Sequence, residues 1–145
     1  MGDIRQLTKI VRNMRIVRAP DRDKISDSEY EVLRKIIKHP GITGKDIAEA
    51  LEYDKALVTR RSQQLVKEGL ITVREDERDK RQRRFFATDE AIALRLGTKE
   101  SERNFYDECL AVLNEDEKDV YLNLTEKIYK KSKELRLEHH KKTFR

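Results

Sequence analysis

The chain has 145 residues, 37% hydrophobic and 42% charged, so a core is affordable only if few apolar side chains are shared economically. Dense charge without Pro-, Gly- or Ser-rich tracts, with apolar residues at helical spacing, excludes a disordered chain and points to long exposed helices. The net charge of +5 suits a polyanionic partner, the lone cysteine Cys109 excludes an internal disulfide, and no apolar run nears the ~18 to 20 residues of a membrane span.

Ile4, Leu7, Val11 and Met14 recur at spacings of three and four, which predicts an amphipathic first helix with Arg5, Lys9, Arg12 and Arg15 off the stripe. Ala19-Pro20-Asp21 ends it, because a residue before proline is pushed out of the α region. Ser26 and Glu29 form a capping box, with Ile25 and Tyr30 placed for a hydrophobic staple. The second helix buries Tyr30, Leu33, Ile36 and Ile37 and stops at His39-Pro40-Gly41.

Thr43 and Asp46 repeat the cap signature and open a short helix with Ile47, Ala48 and Leu51 inward. Asp54 caps a third helix, residues 55–68, with Val58 and Leu65 inward and Gly69 where a left-handed residue is wanted. Two short helices joined by a tight turn are a helix-turn-helix. The β-prone stretches 70–74 and 83–88 flank a charged loop, residues 75–82, and make a hairpin directly after the motif. Such a hairpin is a wing.

Thr88, Asp89 and Glu90 begin a long helix holding Ile92, Leu94 and Leu96, with an interruption expected at Gly97 before Phe105, Cys109, Val112 and Leu113 resume the stripe. Asn114 and Glu117 cap a last helix carrying Val120, Tyr121, Leu124, Ile128 and Leu135. The end, 139–145, reads as frayed and basic.

The fold class expected is therefore mainly α with a small β-hairpin wing: a winged helix-turn-helix over 26–88, flanked by an N-terminal dimerisation helix and connection, 1–25, and long C-terminal helices, 89–145. Major-groove reading needs long hydrogen-bonding side chains and short ones on an outward helix face. With Val58 and Leu65 buried, Lys55, Ala56, Thr59, Arg60, Gln63 and Gln64 supply them: Arg60 to pair with guanine, Gln63 or Gln64 with adenine, and Lys55 with the helix start beside phosphate. On the wing, Arg78, Lys80 and Arg81, followed by Arg83 and Arg84, suit a narrow minor groove, with Asp76 and Asp79 bracing them. Double-stranded DNA is the partner these features describe. The sparse apolar stripes, with Ile4, Leu7, Val11, Leu124 and Ile128 as candidate dimer contacts, describe a second copy of the chain.

The runs Ile47-Ala-Glu-Ala-Leu51, Asp54-Lys55 with Val58-Thr59-Arg60, Leu65-Val-Lys-Glu-Gly-Leu-Ile71 and above all Asp76-Glu-Arg-Asp-Lys-Arg81 resemble the MarR family of regulators across nearly the whole chain. The resemblance implies a homodimer with interlocked terminal helices, a pseudo-palindromic operator, and frequent release by a small molecule or oxidant. It places recognition-helix positions on Thr59 and Arg60 and the wing arginine on Arg81. Glu52 stands where the family commonly has glycine in the turn between the motif helices. Arg61 and Ser62 replace residues that are usually apolar, which implies either looser packing of the helix or a phosphate contact for Arg61, and Ala91 replaces a frequent glycine and suggests a continuous helix start.

The expected function is a cytoplasmic transcription regulator of the repressor kind, with no cofactor. A small-molecule effector is implied by the resemblance, but its residues are not assigned: Tyr30 and Arg15 are conceivable ligand groups, with Tyr30 as the staple aromatic and Arg15 as an exposed base the favoured readings. Cys109, late on an apolar stripe, reads as a buried, inert thiol. His39, His139 and His140 are too few and too scattered for a metal site. No phosphate-cradling glycine loop and no nucleophile paired with a base suggests an enzyme. The competing class is a winged-helix protein-interaction module, which would show an apolar patch where residues 55–64 are basic.

Overall fold

A computed structural model describes residues 4–143. The first helix, α1 (Arg5–Val17), runs into a single 3₁₀ stretch at Pro20–Lys24, and α2 (Asp27–Lys38) follows. Its capping box closes as the sequence requires: the Glu29 amide donates to the Ser26 hydroxyl at 3.2 Å, and the Ser26 amide donates to the Glu29 carboxylate at 3.3 Å. Ile25 and Tyr30, the staple pair, are both buried in the core.

After Gly41, whose φ of +84° makes the turn, come a two-residue strand β1 (Ile42–Thr43), then α3 (Gly44–Leu51) and α4 (Lys55–Lys67). Thr43 and Asp54 cap these helices through their side chains, on the Asp46 and Leu57 amides. Gly69, at φ +71°, releases the chain from α4 into β2 (Ile71–Glu75), and β3 (Arg83–Ala87) returns antiparallel to it.

Strand β1, absent from the sequence-based expectation, pairs with the other side of β3 with Ile42 opposite Phe85, so the sheet order is β1-β3-β2. The wing is thereby stitched to the chain entering α3. Val32, Leu33 and Ile36 of α2, Ile47 of α3, Val58 and Leu65 of α4, and Ile71 and Phe85 of the sheet make one core. Val32 joins the four residues expected of α2, a helix that packs against both α4 and β3.

Helix α5 (Asp89–Leu110) begins at Thr88, whose hydroxyl accepts from the Ala91 amide and donates to the Gly69 carbonyl at 2.9 Å. Ala91 is fully buried against the core, so the start is continuous as expected. The interruption expected at Gly97 is not there. One glycine costs a helix about 1 kcal/mol relative to alanine and does not stop it when the backbone bonds persist on both sides. Helix α5 is fastened to the N-terminal connection and to α2: the Ala19 amide donates to the Ser101 hydroxyl at 3.1 Å, and the Arg95 guanidinium donates to the Tyr30 hydroxyl at 3.0 Å.

The chain divides into two compact units, one ending at Phe105 and the other beginning at Tyr106. In the second, Asn114 and Glu117 exchange the two bonds of a capping box, both at 2.9 Å, and open α6 (Glu115–Thr143). Helix α6 persists through the stretch expected to fray, up to Thr143, and residues 144–145 of that stretch lie outside the described residues. Alternating Lys and Glu at helical spacing, such as Glu126 with Lys130 and Lys131 with Glu134, support so long an exposed helix. Cys109 is exposed rather than buried and Val112 is 85% exposed, whereas Phe105 and Leu113 of the same stripe are half-buried. No described helix is long and apolar enough to cross a membrane.

Candidate nucleic-acid interface

Val58, Ser62 and Leu65 face the core, which fixes the rotation of α4 and leaves Lys55, Ala56, Thr59, Arg60 and Gln63 exposed. The Thr59 hydroxyl donates back to the Lys55 carbonyl at 2.9 Å, so its methyl is the group turned outward. Gln64 departs from the expectation. It is half-buried, and its amide nitrogen donates to Glu68 at 2.8 Å, which ties it along the helix edge. Val66 is the one large apolar side chain exposed on α4 among the described residues, so the face is polar and basic rather than an apolar docking patch.

At the start of α4 the Asp54 carboxylate accepts from the Leu57 amide at 2.7 Å. A carboxylate already sits where a phosphate would use free amides, so Lys55 is the remaining cation at that end.

Arg61 does not join the outward face. Its side chain is only about one-third exposed, its Nη1 lies 3.8 Å from the Glu29 carboxylate, and its Nε is buried without a partner. Of the two readings of Arg61, the phosphate contact is corrected accordingly: the α4 rotation that buries Val58 and Leu65 turns position 61 toward α2. Ser62 is 4% exposed, and its hydroxyl has no partner.

In the turn between α3 and α4, Glu52 adopts φ 56° and ψ 38°, the left-handed conformation that glycine occupies most readily. The turn geometry survives the change of residue, and the Tyr53 amide still donates to the Ala48 carbonyl at 3.0 Å.

In the wing, Asp76 is the anchor. Its carboxylate accepts from the Arg78 amide at 2.8 Å and pairs with the Arg84 guanidinium at 2.7 Å, while Arg84 also donates to the Gly41 carbonyl at 2.8 Å. The Arg78 amide foremost, then Arg84, hold the Asp76 carboxyl below the ordinary carboxylate range. Asp79 accepts from the Arg81 amide at 3.0 Å, a backbone brace rather than an ion pair with the tip. Arg84 is therefore a strut of the wing base, and the exposed side chains of Arg78, Lys80, Arg81 and Arg83 are left for a ligand. Helix α4 and the wing thus present two separate basic elements from one core.

Residues 25–82 match the model of the MarR family. The winged-helix segment carries the likeness to the MarR family. Solved structures carry the likeness to the rest of the fold. YusO of Bacillus subtilis is similar at a TM-score of 0.74 and 20% identity over 86% of this chain and 90% of that one. A MarR protein of Peptoclostridium difficile is 26% identical at a TM-score of 0.63, over 91% of this chain and 90% of that one. FabT of Streptococcus pneumoniae, solved in complex with DNA, is 21% identical at a TM-score of 0.67, over 77% of this chain and 78% of that one. No curated protein matches the chain. In MarR-family terms, the helix of the second motif position is α4 and the charged hairpin of residues 71–87 is the wing.

Sequence reasoning missed the ionic frame beside this surface. Asp27, at the first position of α2, takes Arg22 at 2.6 Å, Arg15 at 3.1 Å and Arg18 at 3.9 Å. Arg22 is 3% exposed, stacks over the Tyr30 ring with its guanidinium 4.0 Å from the centroid, and donates to the Ile25 carbonyl at 3.0 Å. Tyr30 and Arg15, weighed as ligand groups from the sequence, are both occupied in this frame.

Proposed function

We propose that the chain is a homodimeric transcription repressor that binds a pseudo-palindromic operator, α4 entering the major groove and the wing the minor groove. The observation that carries this reading is the outward face of α4, where Lys55, Ala56, Thr59, Arg60 and Gln63 stand exposed over a buried Val58–Leu65 face. Long donors beside short side chains are what base-edge contact requires. The FabT complex with DNA supports carrying the reading to this chain. Exposed apolar side chains on α1 and α6, including Ile4, Leu7, Val11, Leu124 and Ile128, support the second copy. For a small-molecule effector, a cleft of about 200 Å³ floored by Ile25, Leu70 and Leu94 and rimmed by Lys24, Glu68 and Glu90 is the candidate seat.

Selection of bound duplexes from a random pool, followed by titration across salt, tests the reading. Affinity should fall steeply with salt. Arg60→Ala should cost about 1 to 3 kcal/mol on the selected sequence and relax preference at one base, and Arg81→Ala should weaken preference for A·T-rich flanks. Flat salt dependence, or equal weakening on every sequence by both variants, would overturn it.

A further inference from the structure

We propose that Glu29 and Arg61 form a positioning pair that sets the pose of α4 against α2, so that discrimination between DNA sequences depends on two residues outside the DNA-facing surface. The proposal rests on the DNA-reading role above.

Apolar packing sets which face of α4 meets the core, but small rolls about that orientation change little buried area. Its buried face is Val58 and Leu65 with the small Ser62 between them, and burial of aliphatic groups has no directional preference. An ion pair with an anchored partner resists any motion that carries the two charges apart. Arg61 supplies it from α4, with Nη1 3.8 Å from Glu29 Oε1. Glu29 is 7% exposed, and its other carboxylate oxygen accepts from the Ser26 amide, so the capping box holds this carboxylate in place. The first turn of α2 is held in turn by Asp27, with Arg15, Arg18 and Arg22 gathered on it. Arg61 therefore meets a counter-ion that cannot follow α4 if the helix rolls.

The consequence at the DNA surface is geometric. A helix with its side chains has a radius of about 5 to 6 Å, so a roll of about 10° displaces a tip such as Arg60's by about 1 Å. Hydrogen bonds span only about 2.7 to 3.2 Å, and a shift of that size breaks a bidentate contact to a base. Phosphate contacts tolerate it better, since they depend mainly on charge. Arg61 is about one-third exposed and 3.8 Å from its partner, and Glu29 keeps its Ser26 amide when Arg61 is replaced, so the pair itself adds little to stability. Its effect belongs in selectivity.

The test compares Glu29→Gln, Arg61→Gln and the double variant on two duplexes, the one selected by the unmodified protein and a scrambled one. Glutamine at 29 keeps the capping box and removes the charge. Each single variant should lower the selected-to-scrambled affinity ratio by about tenfold, the double variant should lose no more than either single, and Arg61→Lys should retain most of the ratio. Affinity for the scrambled duplex, its salt slope and the thermal midpoint should hold. An unchanged ratio in the single variants overturns the proposal. So does a loss of scrambled-duplex affinity with a salt slope lower by about one in Arg61→Gln alone, which marks a phosphate contact instead. If the unmodified protein does not discriminate at all, the DNA-reading role fails, a result distinct from discrimination that the variants leave intact.

Discussion

Glu52 holds a backbone conformation that costs an L-residue about 1 kcal/mol or more and costs glycine almost nothing. It is the one non-glycine residue with positive φ among the described residues, and it lies between the two helices whose relative angle aims the reading face. Glu52→Gly should thus raise stability by up to about 1 kcal/mol, the relief of strain being partly offset by the freer unfolded chain. Glu52→Val, β-branched in the same conformation, should lower it by about 1 kcal/mol or more. Chemical denaturation of the three proteins checks this, and a glycine variant less stable than the parent would refute it. Single residues were legible in the sequence where their chemistry is local. Ser26, Thr43, Asp54 and Asn114 all cap the helices their spacing announced, because a cap needs only the next three residues. Arg61 and Arg22 were not legible, since their partners are set by the packing of one helix on another or by the course of an irregular turn.

At the scale of the element, the wing is a long polar hairpin held at its base by one carboxylate. Asp76 joins the Arg78 amide, the Arg84 guanidinium and, through Arg84, the Gly41 carbonyl. Its pKa is lowered on folding, first by the Arg78 amide. A lowered acid stabilises the folded form fully above its unfolded pKa, about 3.9, and loses that contribution as pH falls through the still lower folded value. The wing base should therefore stay intact at neutral pH and loosen below about pH 4. Amide exchange at Arg78 and at Asp76, whose own amide bonds the Gln82 carbonyl, would report it, and Asp76→Asn should show the loosened exchange already at neutral pH. If exchange in that variant matched the parent, the carboxylate would not be the anchor. The hairpin itself was readable from alternating strand residues around a charged loop. Its third strand was not: β1 is two residues long, too short to leave a period, and exists because β3 has a free edge beside the turn at Gly41. The uninterrupted α5 makes the same point in reverse, because a lone glycine is a weak stop where no cap accompanies it.

For the molecule as a whole, the decisive quantity is the apolar surface that one copy leaves in water. Among the described residues, Ile4, Leu7, Ile10, Val11, Ile16 and Val17 on or beside α1 are exposed, as are Val120, Tyr121, Leu122, Leu124, Ile128, Tyr129, Leu135 and Leu137 on α6. Met14 is the one residue of the expected first stripe that is buried. The sequence showed these stripes as regular and sparse, and could not show that the chain's own core leaves them uncovered, since that depends on where every other element packs. Scattered exposed leucines need no explanation, whereas recurrence at three and four along two helices does. In the proposed dimer a second copy related by a two-fold axis would cover such stripes, and a pseudo-palindrome would require its two α4 helices about one DNA turn apart, about 34 Å. Sedimentation at micromolar concentration should therefore give twice the chain mass. Leu124→Asp and Ile128→Asp each place a charge on a stripe that is exposed in the single chain and that the proposed dimer would cover. They should leave the winged-helix core intact while weakening dimerisation by several kcal/mol. DNA affinity should fall with the dimer, because each half-site would then be bound alone. A folded monomer of the unmodified chain at that concentration, or aspartate variants that remain dimeric, would show that these stripes are not the dimer contact.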